Sequence, residues 1–194
     1  MKVKTCTEKA AKYIYYSIRE RLAANQIAEF ANLNLTHQSP VDGHEKWDVV
    51  YEEGSEPQII IAELKVRKKF LEYFDGTYDG DKGVVFEKLK YDELMEKCNT
   101  TRGKLTKIKP KFIVVLFDCV LIFDVNNIPP TEFKIKKQRA SSVNGSDLTK
   151  DKWVTYLDPS TAQVIPLKID YDRLNADAKV IFKYEYPNTK LIID

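Results

Sequence analysis

Asp48, Glu63 and Lys65 are the residues of this chain whose types and spacing point to chemistry. Glu63-Leu64-Lys65 follows the apolar run Ile59-Ile60-Ile61-Ala62, and the cations Arg67, Lys68 and Lys69 come directly after it. Asp48 lies upstream, across the turn-forming stretch Gly54-Ser55-Glu56-Pro57. If that stretch closes an antiparallel hairpin centred between Ser55 and Glu56, paired residue numbers add up to 111 and Asp48 falls opposite Glu63. Such a pair shares one face with Cβ atoms about 4.5 to 5.5 Å apart, and Lys65 points to the same face about 6.6 Å further along. Carboxylates that close repel unless one is protonated or a cation lies between them, and oxygen-only ligation suits Mg²⁺ or Mn²⁺. A divalent ion there polarises a phosphodiester and activates a water, while an ammonium steadies the nucleophile or the developing charge. Residues of these types in this register imply metal-dependent phosphodiester cleavage. Two other outcomes stay open: a one-residue slip would turn Asp48 to the opposite face, and the same charges also fit a solvated strand end.

Helices and strands must hold these groups. Thr7 is a helix cap, and Ala11, Ile14, Ile18 and Leu22 recur at helical spacing, which predicts a first helix from Thr7 to about Ala24, with Ile27 and Phe30 as a continuation. Strands are predicted at Leu33 to His37, Lys46 to Glu52 and Gln58 to Val66. Phe70 to Gly83, rich in glycine and aromatics, reads as a loop near a substrate. A second helix is predicted from Val84 to about Cys98. Phe112 to Phe117 is apolar on both faces, as an interior strand is, and Asp118-Cys119 leads to Val120 to Val125 through a hairpin or a bend. Trp153 to Leu157, Gln163 to Ile169 and Lys179 to Tyr186 read as strands or irregular cover, with a short helix around Tyr171 to Ala178.

At 194 residues the chain fits one domain, residues 1–194, with a core over 7–126 and a C-terminal elaboration over 127–194. The net charge of +2 argues against a uniformly basic nucleic-acid protein, yet Thr100 to Arg139 carries nine Lys or Arg against three acids. The basic stretches Lys65 to Lys69, with Arg67, Lys68 and Lys69, Arg102 to Lys111, with Arg102 and Lys104, and Lys134 to Arg139 are candidates for phosphate contact. Three scattered cysteines without a CxxC spacing, and two histidines, argue against a zinc site. Phe112 to Phe117, the longest apolar run, is too short to span a bilayer, and the N-terminus lacks a signal-peptide core. A soluble cytoplasmic protein is expected, with no membrane partner.

Asp48, then Glu63-Leu64-Lys65 after IIIA, with a helix before and a helix and apolar strand after, resembles the PD-(D/E)xK nuclease superfamily over roughly Thr7 to Val125. That superfamily includes restriction endonucleases, archaeal Holliday-junction resolvases and small phage or mobile-element nucleases. The resemblance implies an α+β fold: a restriction endonuclease-like αβββαβ core with a mixed central sheet flanked by helices. It implies Asp48 and Glu63 as Mg²⁺ or Mn²⁺ ligands, with Leu64 between the motif residues also at the metal, and Lys65 as the catalytic ammonium. Trp47 stands where the family usually has proline. Many members add an acid on the first helix. A helix leading into the first strand starts at the active end of the sheet, which selects Glu8 over Glu20, about 18 Å further along the axis, and over Glu29. An acid at Glu8 equally complements the helix dipole. On the second helix Lys88 and Lys90 fall over the site, to reach a phosphate or to form a solvated face. The partner implied is DNA, branched and single-stranded forms included, and a homodimer would cut both strands of a duplex. A non-catalytic nucleic-acid-binding protein and a structural domain are the competing readings.

Overall fold

The computed structural model describes residues 6–39, 48–53, 58–74, 83–100, 106–139 and 149–192. Thr7 begins helix α1 (Glu8–Ala31), its hydroxyl accepting the Ala10 N–H at 3.3 Å. Asn32, left-handed at φ 51°, ends it, and Leu33 N–H returns to the Ala28 carbonyl. Three strands follow, β1 (Asn34–Gln38), β2 (Val49–Glu53) and β3 (Gln58–Val66). A short β4 (Val84–Glu87) runs straight into α2 (Lys88–Asn99), and β5 (Lys109–Val115) and β6 (Val120–Asp124) form a hairpin. The C-terminal part supplies β7 (Lys134–Arg139), β8 (Thr149–Leu157), β9 (Gln163–Ile165) and α3 (Tyr171–Glu185).

The main sheet has the order β1-β2-β3-β5-β6-β9. β3 and β5 run parallel, joined through α2, and every other neighbouring pair is antiparallel. The chain is therefore an α+β protein with a mixed central sheet flanked by helices, and the predicted αβββαβ order is present, with β4 added before α2. Central β3 is buried on both faces. Ile60, Ala62 and Leu64 pack with Ala23, Ala24, Ile27 and Ala28 of α1, whereas Ile61 packs with Tyr91 and Leu94 of α2. The N-terminal half of α1 has another partner: Ala11, Ile14, Tyr15 and Ile18 pack on Ala178 and Phe182 of α3 and on Tyr186, its C-cap. Only the later turns of α1 lie on the sheet.

The structure changes several sequence expectations. The predicted second helix begins at Lys88, not Val84, because Val84-Val85-Phe86 pair with Val154 to Leu157 in a second sheet of order β4-β8-β7. Phe86 stacks on Phe112 of the main sheet at 4.4 Å between centroids and joins the two sheets. Asp118-Cys119 is a hairpin turn rather than a bend. Of Lys179 to Tyr186, expected as strand or cover, Lys179 to Glu185 belong to α3 and Tyr186 is its C-cap; the Asp170 cap and buried Leu174, Ala178 and Phe182 at helical spacing outweigh the β-branched residues. Strand pairing in Gln163 to Ile169 stops at Ile165. Leu71 to Phe74 of the predicted aromatic loop form one 3₁₀ turn. Among the described residues no helix is long and apolar enough to cross a membrane, and Cys6, Cys98 and Cys119 are free thiols.

Candidate active site

β2 and β3 pair in the predicted register: Val49 faces Ala62, Val50 faces Ile61 and Tyr51 faces Ile60, each pair adding up to 111. Asp48 lies just before β2, its N–H donating to the Ala62 carbonyl at 2.9 Å. The Asp48 side chain also reaches β3, Oδ2 accepting the Leu64 N–H at 2.7 Å. The hydrogen bond pins the carboxylate beside Glu63 and Lys65.

Three carboxylates then gather round one ammonium. Lys65 Nζ lies 2.8 Å from Glu63 Oε1, 3.6 Å from Asp48 Oδ2 and 3.7 Å from Glu20 Oε1. From the α2 side Lys90 Nζ comes within 3.4 Å of Glu63 Oε2 and 3.2 Å of Glu93 Oε2. The Glu63 carboxylate is almost fully buried, and its Oε2 accepts no hydrogen bond. Counted as ionised, Glu20, Asp48, Glu63 and Glu93 exceed Lys65 and Lys90 by two negative charges.

Burial and this excess shift the proton affinities. Burial, and the neighbouring Asp48 and Glu63 against the pull of Lys65, raise the Glu20 carboxyl to about 7. Glu63 is raised by burial and by Asp48, with Lys65 and Lys90 opposing. Burial works against the charge on Lys65, but Glu20, Glu63 and Asp48 outweigh it and hold the ammonium well above its ordinary pKa. Lys90 is likewise raised, its own burial outweighed by Glu63 and Glu93. Lys65 and Lys90 are thus charged at any physiological pH, whereas Glu20 exchanges its proton near neutrality.

The predicted residues separate into those that meet and those that do not. Asp48, Glu63, Lys65 and Lys90 converge as expected. The first-helix acid at the site is Glu20, where the sequence selects Glu8; the Glu8 side chain lies outside the described residues. The direction of the helix was inferred correctly, but its first three turns overhang the sheet against α3, so the acid reaching the active end comes later. Leu64 is fully buried and apolar, which leaves its backbone as the group it can offer. Arg67 and Lys68 line the cleft, Lys69 turns its ammonium to the Tyr73 ring at 3.7 Å, and Lys88 pairs with Asp92 at 2.6 Å on the helix surface. Lys134 to Arg139 form an edge strand, where lysines discourage pairing with another sheet. Arg102 and Lys104 lie outside the described residues. Sequence reasoning missed Glu93 and Arg19. Glu93 sits one turn after Lys90, a spacing that puts both on one helix face.

These groups sit in a cleft of about 700 Å³ between α1 and α2. Glu20, Asp48, Glu63 and Glu93 make it acidic within, and Arg19, Arg21, Arg67 and Lys68 add cations to its walls. Among the described residues no three His, Cys, Asp or Glu side chains form a metal-holding group by themselves; the carboxylates meet through Lys65. The hard-oxygen donors of Asp48 and Glu63, with the buried Glu63 Oε2 meeting the Lys90 ammonium at 3.4 Å but accepting no hydrogen bond, nonetheless fit Mg²⁺ or Mn²⁺.

No family model matches the chain, and no curated protein is significantly similar to it. Among solved structures it is similar to Hjc, a Holliday junction resolvase from the archaeal hyperthermophile Archaeoglobus fulgidus. The identity is 13%, over 80% of this chain and 93% of that chain, with a TM-score of 0.39.

Proposed function

We propose that the protein is a metal-dependent nuclease that hydrolyses phosphodiester bonds in DNA. One observation carries the reading: carboxylates from three separate elements, Glu20, Asp48 and Glu63, converge on Lys65 inside a cleft with cations on its walls. Asp48, Glu63 and the backbone of Leu64 would hold Mg²⁺ or Mn²⁺, which when bound polarises the phosphodiester and makes water a nucleophile near neutral pH. Lys65 orients that water and offsets the negative charge that develops at phosphorus. Glu20, whose carboxylate lies 3.7 Å from Lys65, accepts the proton the water loses. Lys90 sits 3.4 Å from Glu63 and, with Lys65, opposes the burial that raises its carboxyl, and Arg67 and Lys68 hold the flanking phosphates.

The test is digestion of linear duplex, single strand, nicked circle and four-way junction with and without Mg²⁺. Asp48→Asn, Glu63→Gln and Lys65→Ala should each lower cleavage by about 100-fold or more while the fold is retained, the scale expected when one preorganised charge is lost. Unchanged cleavage in all three sinks the site assignment. Salt-sensitive DNA binding with no cleavage under any divalent ion would replace it with a non-catalytic binding protein.

A further inference from the structure

β3 does not stop at the cleft. Its chain continues as Arg67-Lys68-Lys69-Phe70 into the 3₁₀ turn Leu71–Phe74, and this extension is tied down along its length. Arg67 N–H donates to the Val115 carbonyl at 2.8 Å, Phe117 N–H to the Lys69 carbonyl at 2.9 Å, and Leu71 N–H to the Asp118 carboxylate at 3.1 Å. On this anchored segment two aromatic rings stay in the solvent: Phe70 is 51% exposed and Tyr73 49%. Phe70 rests one side on Phe117, 5.0 Å away, while Lys69 lies over the Tyr73 ring. Lys68 lines both the catalytic cleft and the hollow formed by Lys69, Phe70, Glu72, Tyr73 and Phe117. Cations, rings and cleft thus form one continuous path.

Building on the nuclease reading, we propose that Phe70 and Tyr73 are a base-stacking platform for a single-stranded segment of DNA next to the cleavage site. Backbone cations interleaved with exposed aromatic rings are the chemistry that holds an unpaired strand: phosphates take the charges, and each free base covers a ring. A base within a duplex already has both faces stacked and cannot do so. Among the described residues lining the hollow, Glu72 is the one acid. The platform gives the protein a preference for a strand that is splayed or unpaired within a few nucleotides of the scissile bond.

The test uses the full chain, fluorescence anisotropy in Ca²⁺, and two labelled DNAs: a blunt duplex and the same duplex with single-stranded tails. The double variant Phe70→Ala/Tyr73→Ala should bind the tailed DNA about 100-fold more weakly, about tenfold per ring, with the blunt duplex changed by less than about twofold. Tyr73→Ala alone, which leaves the Phe70–Phe117 contact in place, should show the single tenfold step. Equal losses on both DNAs, or no loss on the tailed one, overturn the platform. Mg²⁺-dependent cleavage by the parent protein separates the two ideas. Cleavage without a tail-specific loss removes the platform alone, and a tail-specific loss without cleavage removes the nuclease reading alone.

Discussion

Glu20 is held in a place that favours its proton. Its carboxyl is raised from 4.5 to about 7, first by burial and then by Asp48 and Glu63. Between those pH values the folded protein binds a proton that the unfolded chain has released, so stability falls as pH rises through this window. Without metal, Glu20→Gln should therefore be more stable than the parent at pH 8, by about 1 to 3 kcal/mol. The difference should vanish below about pH 4.5, where both states of the parent are protonated. Urea unfolding at the two pH values checks this, and an equal gain at both would mean that the proton is not responsible. The same variant bears on function, because Glu20 stands beside Lys65. Glu20→Gln should slow cleavage by about 10- to 100-fold, as loss of a general base does, whereas Glu8→Gln should leave it within about twofold.

Elements transmit geometry to these residues, and β4 is the least obvious of them. It was expected as the first turn of a helix, yet it pairs with β8, stacks Phe86 on Phe112 and delivers the chain directly into α2, which carries Lys90 and Glu93. Gly83 makes the entry possible. It adopts φ +111°, and a Cβ there would lie 2.3 Å from the Leu157 carbonyl oxygen, a backbone atom that cannot give way cheaply. Gly83→Ala should cost about 1 to 3 kcal/mol, combining an unfavourable backbone region with the clash. A lower urea midpoint at unchanged slope would show it; a variant as stable as the parent would mean that β4 shifts freely.

At the scale of the molecule, charge is sorted by depth. The acids Glu20, Asp48 and Glu63 gather on Lys65, while Arg67 and Lys68 extend the cleft along the segment toward Phe70. A net charge of only +2 conceals this arrangement. A polyanion held by such cations binds through counterion release, so affinity for DNA should fall steeply with salt. Lys68→Ala should weaken binding of DNA of any sequence alike and reduce the slope of log K against log salt by about 0.9, one phosphate contact. An unchanged slope would remove Lys68 from the path.

The sequence by itself determined the hairpin and its register. The turn residues 54–57 and the alternation on either side leave one register that buries Val49, Tyr51, Ile60 and Ala62 together, and it brings Asp48 to Glu63 and Lys65. Periodicity likewise made α1, the core of α2 and the interior strands legible, because those patterns depend on neighbours close in the chain. Tertiary structure decided what depends on distant partners. Val84 to Glu87 became a strand because β8 lay ready to pair with it, and Lys179 to Glu185 became helix because Ala178 and Phe182 found α1. Glu20 reached the site because α3 claims the start of α1, setting how far along its length that helix meets the sheet. Local spacing states which side of a helix an acid lies on; only packing against a distant element states which turn of it arrives.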